Sequence, residues 1–259
     1  MPNYMNILLS KITIISCLCM ICIGCNPLQS DMKIEETLYT ISGSVKLLRE
    51  DNSIDIIKNG VIINQVGTNN STNSESSGKW TLKNIPKGVY TLSFVKSGFS
   101  EFRYFNIVVD GNKSNDLSQI TLAQIPQFTV NNIETFLTDD NTFVQINCSV
   151  SKYASQTRRV ILFFDKLNES YINPQIYDFY SIDLTIPANE NSGVLKIPIQ
   201  RLILNGFSNG SKVYVAAYGI SRFEATSEGS FVSQNPLNGK TIFWNYSSPA
   251  FVSSFLLPN

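Results

Sequence analysis

Residues 78–99 read Gly78-Lys79-Trp80-Thr81-Leu82-Lys83-Asn84-Ile85-Pro86-Lys87-Gly88-Val89-Tyr90-Thr91-Leu92-Ser93-Phe94-Val95-Lys96-Ser97-Gly98-Phe99. Trp80 and Leu82 alternate with Thr81 and Lys83, which gives a strand one apolar face and one wet face. Tyr90, Leu92 and Phe94 repeat that period against Thr91 and Ser93. Between the two runs, Ile85 supplies an apolar plug, Pro86 a fixed φ, and Gly88 a residue free to take positive φ. The stretch predicts strand, tight corner, strand, and an apolar face folded onto a core.

The same period continues on both sides. Leu38–Leu48 reads as a first strand with Gly43 permitting a bend or bulge. Arg49–Lys58 is a polar-rich excursion, Asn59-Gly60 a hairpin signal and Val61–Val66 a short buried strand. Gly67–Ser77 is almost wholly Asn, Ser and Thr, the composition of a loop or a poor edge strand. Arg103–Val109 and Leu117–Leu122 close this segment. Pro126 breaks the ladder, placing a boundary at 124/125. Beyond it, Val144, Ile146, Cys148 and Val150 alternate with polar residues, and Val160–Phe164 is apolar on both faces, as in a central strand. Ile182, Leu184 and Ile186 alternate again, as do Leu195, Ile197 and Ile199, with Pro198 demoting that strand to an edge. Asn205-Gly206, Asn209-Gly210 and Asn238-Gly239 are further hairpin signals. No stretch shows helical periodicity with caps. The expectation is an all-β chain of two β-sandwiches in tandem, residues 37–124 and 125–259.

Composition narrows the function classes. Lys+Arg and Asp+Glu are each 20 in 259 residues, with no block of one sign, which argues against nucleic acid as partner. Histidine is absent, so every Ser-His, Cys-His and His-metal mechanism is excluded. No cofactor is implied.

Met1–Lys11 precedes an apolar run, Ile12–Ile23, of signal-peptide length and too short to span a bilayer. Cys22-Ile23-Gly24-Cys25 follows. It resembles the lipobox of bacterial lipoproteins, with Cys22 where Leu, Val or Ile is usual. The resemblance implies a lipoprotein signal peptide over 1–24, a lipidated Cys25, a tether over 25–36, and membrane attachment through the acyl chains. Asn26 in place of the inner-membrane retention Asp points to the outer membrane, on its periplasmic or cell-surface face. Cys148 is then the one other cysteine of the mature chain.

Ile41-Ser-Gly43-Ser-Val45, Gly78-Lys-Trp80-Thr-Leu82, Asn84-Ile-Pro86-Lys-Gly88-Val-Tyr90-Thr-Leu92, Lys96-Ser-Gly98-Phe99 and Ile120-Thr-Leu122 together resemble the carboxypeptidase regulatory-like domain, a transthyretin-like β-sandwich. The family often carries Asp where Glu75 stands, and a Pro-Leu-x-Gly-Ala hairpin where Arg49–Gly60 stands. The resemblance implies a non-catalytic module, with glycan binding by fold analogy only. Gly206–Tyr218 resembles the turn and F strand of a fibronectin type III domain, with Val213 at the corner-tyrosine position and Asn209 at the usual Pro; the broader expectation is an immunoglobulin-like sandwich.

Four aromatics surround an Asn-Pro turn in Tyr171-Ile-Asn-Pro-Gln-Ile-Tyr177-Asp-Phe179-Tyr180. Exposed rings stack on sugar faces and neighbouring amides and hydroxyls hold sugar hydroxyls, so Tyr171, Tyr177, Phe179 and Tyr180 are candidate ligand-binding residues. The same rings would also serve to cap the sandwich end or to pack between the domains. Asp110, Asn112, Ser114 and Asp116 have the oxygen spacing of a calcium loop, without its Gly or its final Glu. Ser76-x-x-Lys79, Gly239-Lys240-Thr241 and Asp139-Asp140 imitate catalytic or phosphate motifs but read as turns. The functional expectation is a non-catalytic, lipid-anchored envelope protein that binds a glycan or docks a protein partner. A carboxylate-based hydrolase is the rival, and needs two acids converging in one pocket.

Overall fold

The computed structural model describes residues 37–51, 53–111, 115–151, 155–167, 171–221, 232–247 and 251–259. They lie in one compact unit. Cys25 and the segment 1–36 fall outside the described residues. The first seven strands are β1 (Tyr39–Leu48), β2 (Ile62–Gln65), β3 (Ser71–Asn73), β4 (Lys79–Ile85), β5 (Gly88–Val95), β6 (Phe102–Val109) and β7 (Asp116–Ala123). They make two sheets, ordered β4-β1-β7 and β3-β2-β5-β6. Pairing is antiparallel except between β1 and β7, which run parallel with Val45 opposite Ile120 and Leu47 opposite Leu122.

The corner at 84–88 carries the chain from one sheet to the other, since β4 and β5 belong to different layers. Trp80, Leu82 and Ile85 are buried while Thr81 and Lys83 are exposed. One detail of the expectation is corrected: the left-handed residue is Asn84 (φ 61°), not Gly88. Asn tolerates that region better than other side chains. Gly88 serves a close approach instead, because a Cβ there would lie 2.9 Å from the Tyr90 hydroxyl. That hydroxyl donates to the Pro86 carbonyl at 3.0 Å and fastens the corner. The bulge expected at Gly43 is present as a register shift between Ser42 and Ser44. The first core joins Ile41, Val45, Leu47, Trp80, Leu92 and Phe94, with Trp80 edge-on to Phe94 at 5.4 Å.

The remaining elements are β8 (Val130–Leu137), β9 (Phe143–Val150), β10 (Arg158–Asp165), β11 (Phe179–Ile186), β12 (Ser192–Pro198), α1 (Ile199–Leu204), β13 (Lys212–Ile220), β14 (Val232–Gln234), β15 (Thr241–Phe243) and β16 (Phe251–Leu256). Two sheets, β12-β9-β8 and β11-β10-β13-β16, enclose a second core that includes Val144, Ile146, Cys148, Val160, Leu162 and Phe164. β14 and β15 form a separate hairpin across the turn holding Asn238-Gly239. β12 is an edge strand, as Pro198 requires. The thiol of Cys148 is pushed up to about 12 by burial, so it is a packed, inert group.

Two further expectations are corrected. The alternation Leu195, Ile197, Ile199 does not stay extended, because the strand stops at Pro198 and Ile199 opens the helix. Ile199 and Leu202 are buried and Ile203 packs beside them, the i, i+3, i+4 pattern of a single helical turn. Asn205-Gly206 is therefore a helix stop rather than a hairpin; Gly206 takes φ 91° and its N–H returns to the Ile203 carbonyl at 2.9 Å.

Strand β10 is apolar on both faces for a structural reason. Its inner residues face the second core. Its outer residues, Ile161 and Phe163, are covered by a third cluster with Ile172, Tyr177, Tyr218 and Phe243. The outer cover comes from the 171–180 segment and the β14–β15 hairpin. Trp244, next to β15, reaches the other way and packs against the first core. Its indole N–H donates to Ser233 Oγ at 2.8 Å, and the Arg103 guanidinium lies 6.0 Å from its ring. A groove of about 330 Å³ runs between β6, β7 and β14 beside it.

Candidate functional site

The four candidate rings do not form one platform. Strand β11 begins at Phe179, so Phe179 and Tyr180 point to opposite faces of the sheet. Phe179 packs into the second core at 5.3 Å from Phe164. Tyr177 and Tyr180 join the outer cluster, edge-on to each other at 5.7 Å. Tyr177 is buried; its hydroxyl donates to the Thr241 carbonyl at 2.6 Å, and burial, then Tyr180, raises its pKa. Tyr171 is 57% exposed and interacts with Tyr218 and Tyr246 instead.

Tyr177, Phe179 and Tyr180 nevertheless line one surface groove of about 490 Å³, together with Asp178, Asp183, Arg201, Asn205 and Lys240. Each partner is placed by its element. Asp183 is an outward residue of β11, and Arg201 projects from α1. Arg201 Nη1 donates to Asp183 Oδ2 at 2.8 Å, and the same guanidinium lies 5.2 Å from the Phe179 ring. The hydrogen bond from Arg201 is the main cause that holds the Asp183 carboxyl below its ordinary value. Lys240, in the β14–β15 turn, donates to the Tyr177 carbonyl, sits 5.5 Å over the Tyr177 ring and lies 4.0 Å from Asp178. Half-buried Tyr180 thus shares its groove with two opposite-charge pairs and an exposed amide. The groove therefore sets aromatic ring faces beside hydrogen-bond donors and acceptors held in place by neighbouring residues.

The same geometry leaves neither carboxylate of this groove poised as a general acid. A general acid needs a raised carboxyl pKa. Asp183 is shifted the other way, and Asp178 is occupied by Lys240 and by the Lys166 N–H at 3.1 Å.

The other motifs resolve as turns. Asp140 accepts from the Thr138 and Thr142 hydroxyls at 2.6 and 2.7 Å, which lowers its pKa to about 2. Ser76–Lys79 is a turn entering β4. Of the calcium-loop candidates, Asn112 and Ser114 lie outside the described residues, and Asp116 accepts the Ser118 N–H at 2.9 Å. Among the described residues no group of three or more His, Cys, Asp or Glu could hold a metal ion.

The sequence does not mark Asp183 or Arg201, and it presents Asn205 and Lys240 only as turn residues. Nothing in the sequence joins residues 183, 201 and 240 except the fold. One signal was present: Ile199, Leu202 and Ile203 at helical spacing would have put Arg201 on the wet side of a turn.

No protein-family model matches the chain, and no curated protein matches it. Among solved structures, it is similar to a mutant type II cohesin–X-dockerin complex from Acetivibrio cellulolyticus, at 24% identity and TM-score 0.29, over 33% of this chain and 57% of that chain. The chain therefore spans little more than half of that structure's length. It is similar to a candidate carbohydrate binding protein from Bacteroides uniformis, at 14% identity and TM-score 0.32, over 83% of this chain and 98% of that chain. A DUF3823 family protein from Parabacteroides merdae is similar at 11% identity and TM-score 0.27, over 71% of this chain and 92% of that chain. These likenesses concern layered β-sheets; no residue role is carried across from them.

Proposed function

We propose that the chain is a non-catalytic, lipid-anchored binding protein of the bacterial envelope, and that the groove along β11 holds a saccharide. The observation that carries this is the groove itself, where Tyr180 stands beside the Asp183–Arg201 and Asp178–Lys240 pairs. The lipobox-like Cys22-Ile23-Gly24-Cys25 supports the anchor, and the carboxypeptidase regulatory-like pattern supports a rigid, non-catalytic module over 37–124.

A glycan array probed with the detergent-extracted protein tests the binding. Retention of one saccharide class is expected, weakened at least about tenfold by Tyr180→Ala and by Arg201→Ala, because each removes a ring face or a charge-assisted donor. No retained glycan overturns the reading. Affinity is expected to be flat from pH 8 to pH 5. Asp183 has a depressed folded-state pKa, so its ion pair is complete above the ordinary aspartate value of 3.8 and is lost only as pH falls through the depressed value.

Cys25→Ala is expected to move the protein from the membrane fraction to the soluble fraction after cell lysis. An unchanged distribution would remove the anchor from the proposal. Docking of a protein partner is the second reading. It is favoured by Ile54, Ile56 and Ile57, which are 54%, 83% and 58% exposed on the excursion after β1.

A further inference from the structure

Edge strand β11, helix α1 and the β14–β15 turn bring charged side chains to the groove of about 490 Å³, and the charges balance. Among the described residues that line it, Asp178 and Asp183 are the carboxylates, and Arg201 and Lys240 are the cations. Period-two alternation puts Asp183 on the wet face of β11. Arg201 stands on the outer side of the helical turn that buries Ile199 and Leu202. All four groups reach solvent. The Arg201 and Asp183 side chains are 44% and 49% exposed, and those of Lys240 and Asp178 are 35% and 31% exposed. A ligand therefore meets them without displacing any core residue.

Both cations are already committed. Arg201 Nη1 donates to Asp183 Oδ2, and its guanidinium lies over the Phe179 ring. Lys240 donates to the Tyr177 carbonyl, lies over the Tyr177 ring and faces Asp178 Oδ1. An acidic sugar would bring a third anion into a groove that holds two carboxylates. It could gain Arg201 only by drawing it away from Asp183. An amino sugar would bring a third cation, and the rings of Tyr177 and Phe179 each carry a protein cation already. A hydroxyl differs from both, because it donates and accepts without adding charge. The two hydrogen bonds to the Asp183 carboxylate, from Arg201 and from Ser181 Oγ at 2.9 Å, both fall on Oδ2. That leaves Oδ1 to accept from a ligand hydroxyl, while the other N–H groups of the same guanidinium donate to a neighbouring one.

We infer, on the saccharide reading of this groove, that it selects an uncharged oligosaccharide and refuses uronic-acid, sulfated and amino sugars. Asp183 and Arg201 are the specificity-determining pair. The selection comes from their mutual neutralisation, so removing one charge changes which sugars bind and not merely how tightly.

The test applies the whole detergent-extracted protein, at fixed ionic strength, to an array of neutral, uronate-containing, sulfated and free-amino oligosaccharides. Retention of neutral members alone is expected. Asp183→Asn leaves Arg201 uncompensated, and is expected to raise the ratio of acidic to neutral retention at least about fivefold. Arg201→Met leaves Asp183 uncompensated, and is expected to raise the ratio of amino to neutral retention by a similar factor. Both sites are exposed, so both variants are expected to stay folded. If one does not, the other decides. Retention of charged members alone, or equally with neutral ones, overturns the inference and leaves the saccharide reading standing. Ratios unchanged in a folded variant also overturn the inference. No retention of any member overturns both.

Discussion

Phe163→Ala is expected to lower the unfolding free energy by about 3–5 kcal/mol, the range for deleting a fully buried aromatic ring. Phe163 lies on the outer face of β10, where a two-layer sandwich would leave it wet, yet it is 0% exposed. It touches Tyr177 at 4.9 Å, Tyr218 at 5.7 Å and Phe243 at 6.0 Å, so its removal takes the centre out of a ring cluster. Urea denaturation followed by far-UV circular dichroism measures the loss. A loss under about 1 kcal/mol would mean that the outer cover adds little packing, contrary to the contacts described. The same variant is expected to abolish saccharide retention, because Tyr177, which walls the groove, is held against Phe163.

Trp80→Ala is the second large effect, again about 3–5 kcal/mol. Trp80 is 2% exposed, stands edge-on to Phe94, and fills the place that Gly43 leaves, where a Cβ would lie 2.9 Å from the ring. Its consequence reaches beyond stability. The chain has only two tryptophans, so Trp244 becomes the sole indole reporter in this variant. Trp244 belongs to the second half of the sequence but packs on the first core. Its emission is therefore expected to shift to the red at the lower urea concentration at which the weakened first core now opens. A Trp244 signal that follows only the second core would contradict that packing.

The strands were legible wherever one face met the core and the other met water. Trp80 and Leu82 against Thr81 and Lys83, and Val144 to Val150, show that pattern and were placed correctly. It was less legible where the environment is three layers deep. Val160–Phe164 announced burial on both sides, but not that the cover would come from residues 171–180 and 241–243. Strand β8 was missed because Asn131, Asn132 and Glu134 dilute its alternation, and its inner face carries only Val130 and Ile133 fully buried. Helix α1 was missed because Leu195, Ile197 and Ile199 continue a period of two up to the residue where the backbone turns. Of the groove, the aromatic share could be read from residues 171–180. Its charged share could not, since Asp183, Arg201 and Lys240 meet only through tertiary structure.

Trp244 also bears on the order in which the chain can mature. The first two sheets are complete in sequence by residue 123, yet the flank between β6 and β7 is sheltered by residues that emerge more than a hundred positions later. A nascent chain folding from its amino end would hold that flank unsheltered until Val232–Trp244 arrived. An excised fragment of residues 37–124 would keep it so for good, with an apolar strip open to self-association. The late hairpin acts as a clasp on the first half of the fold.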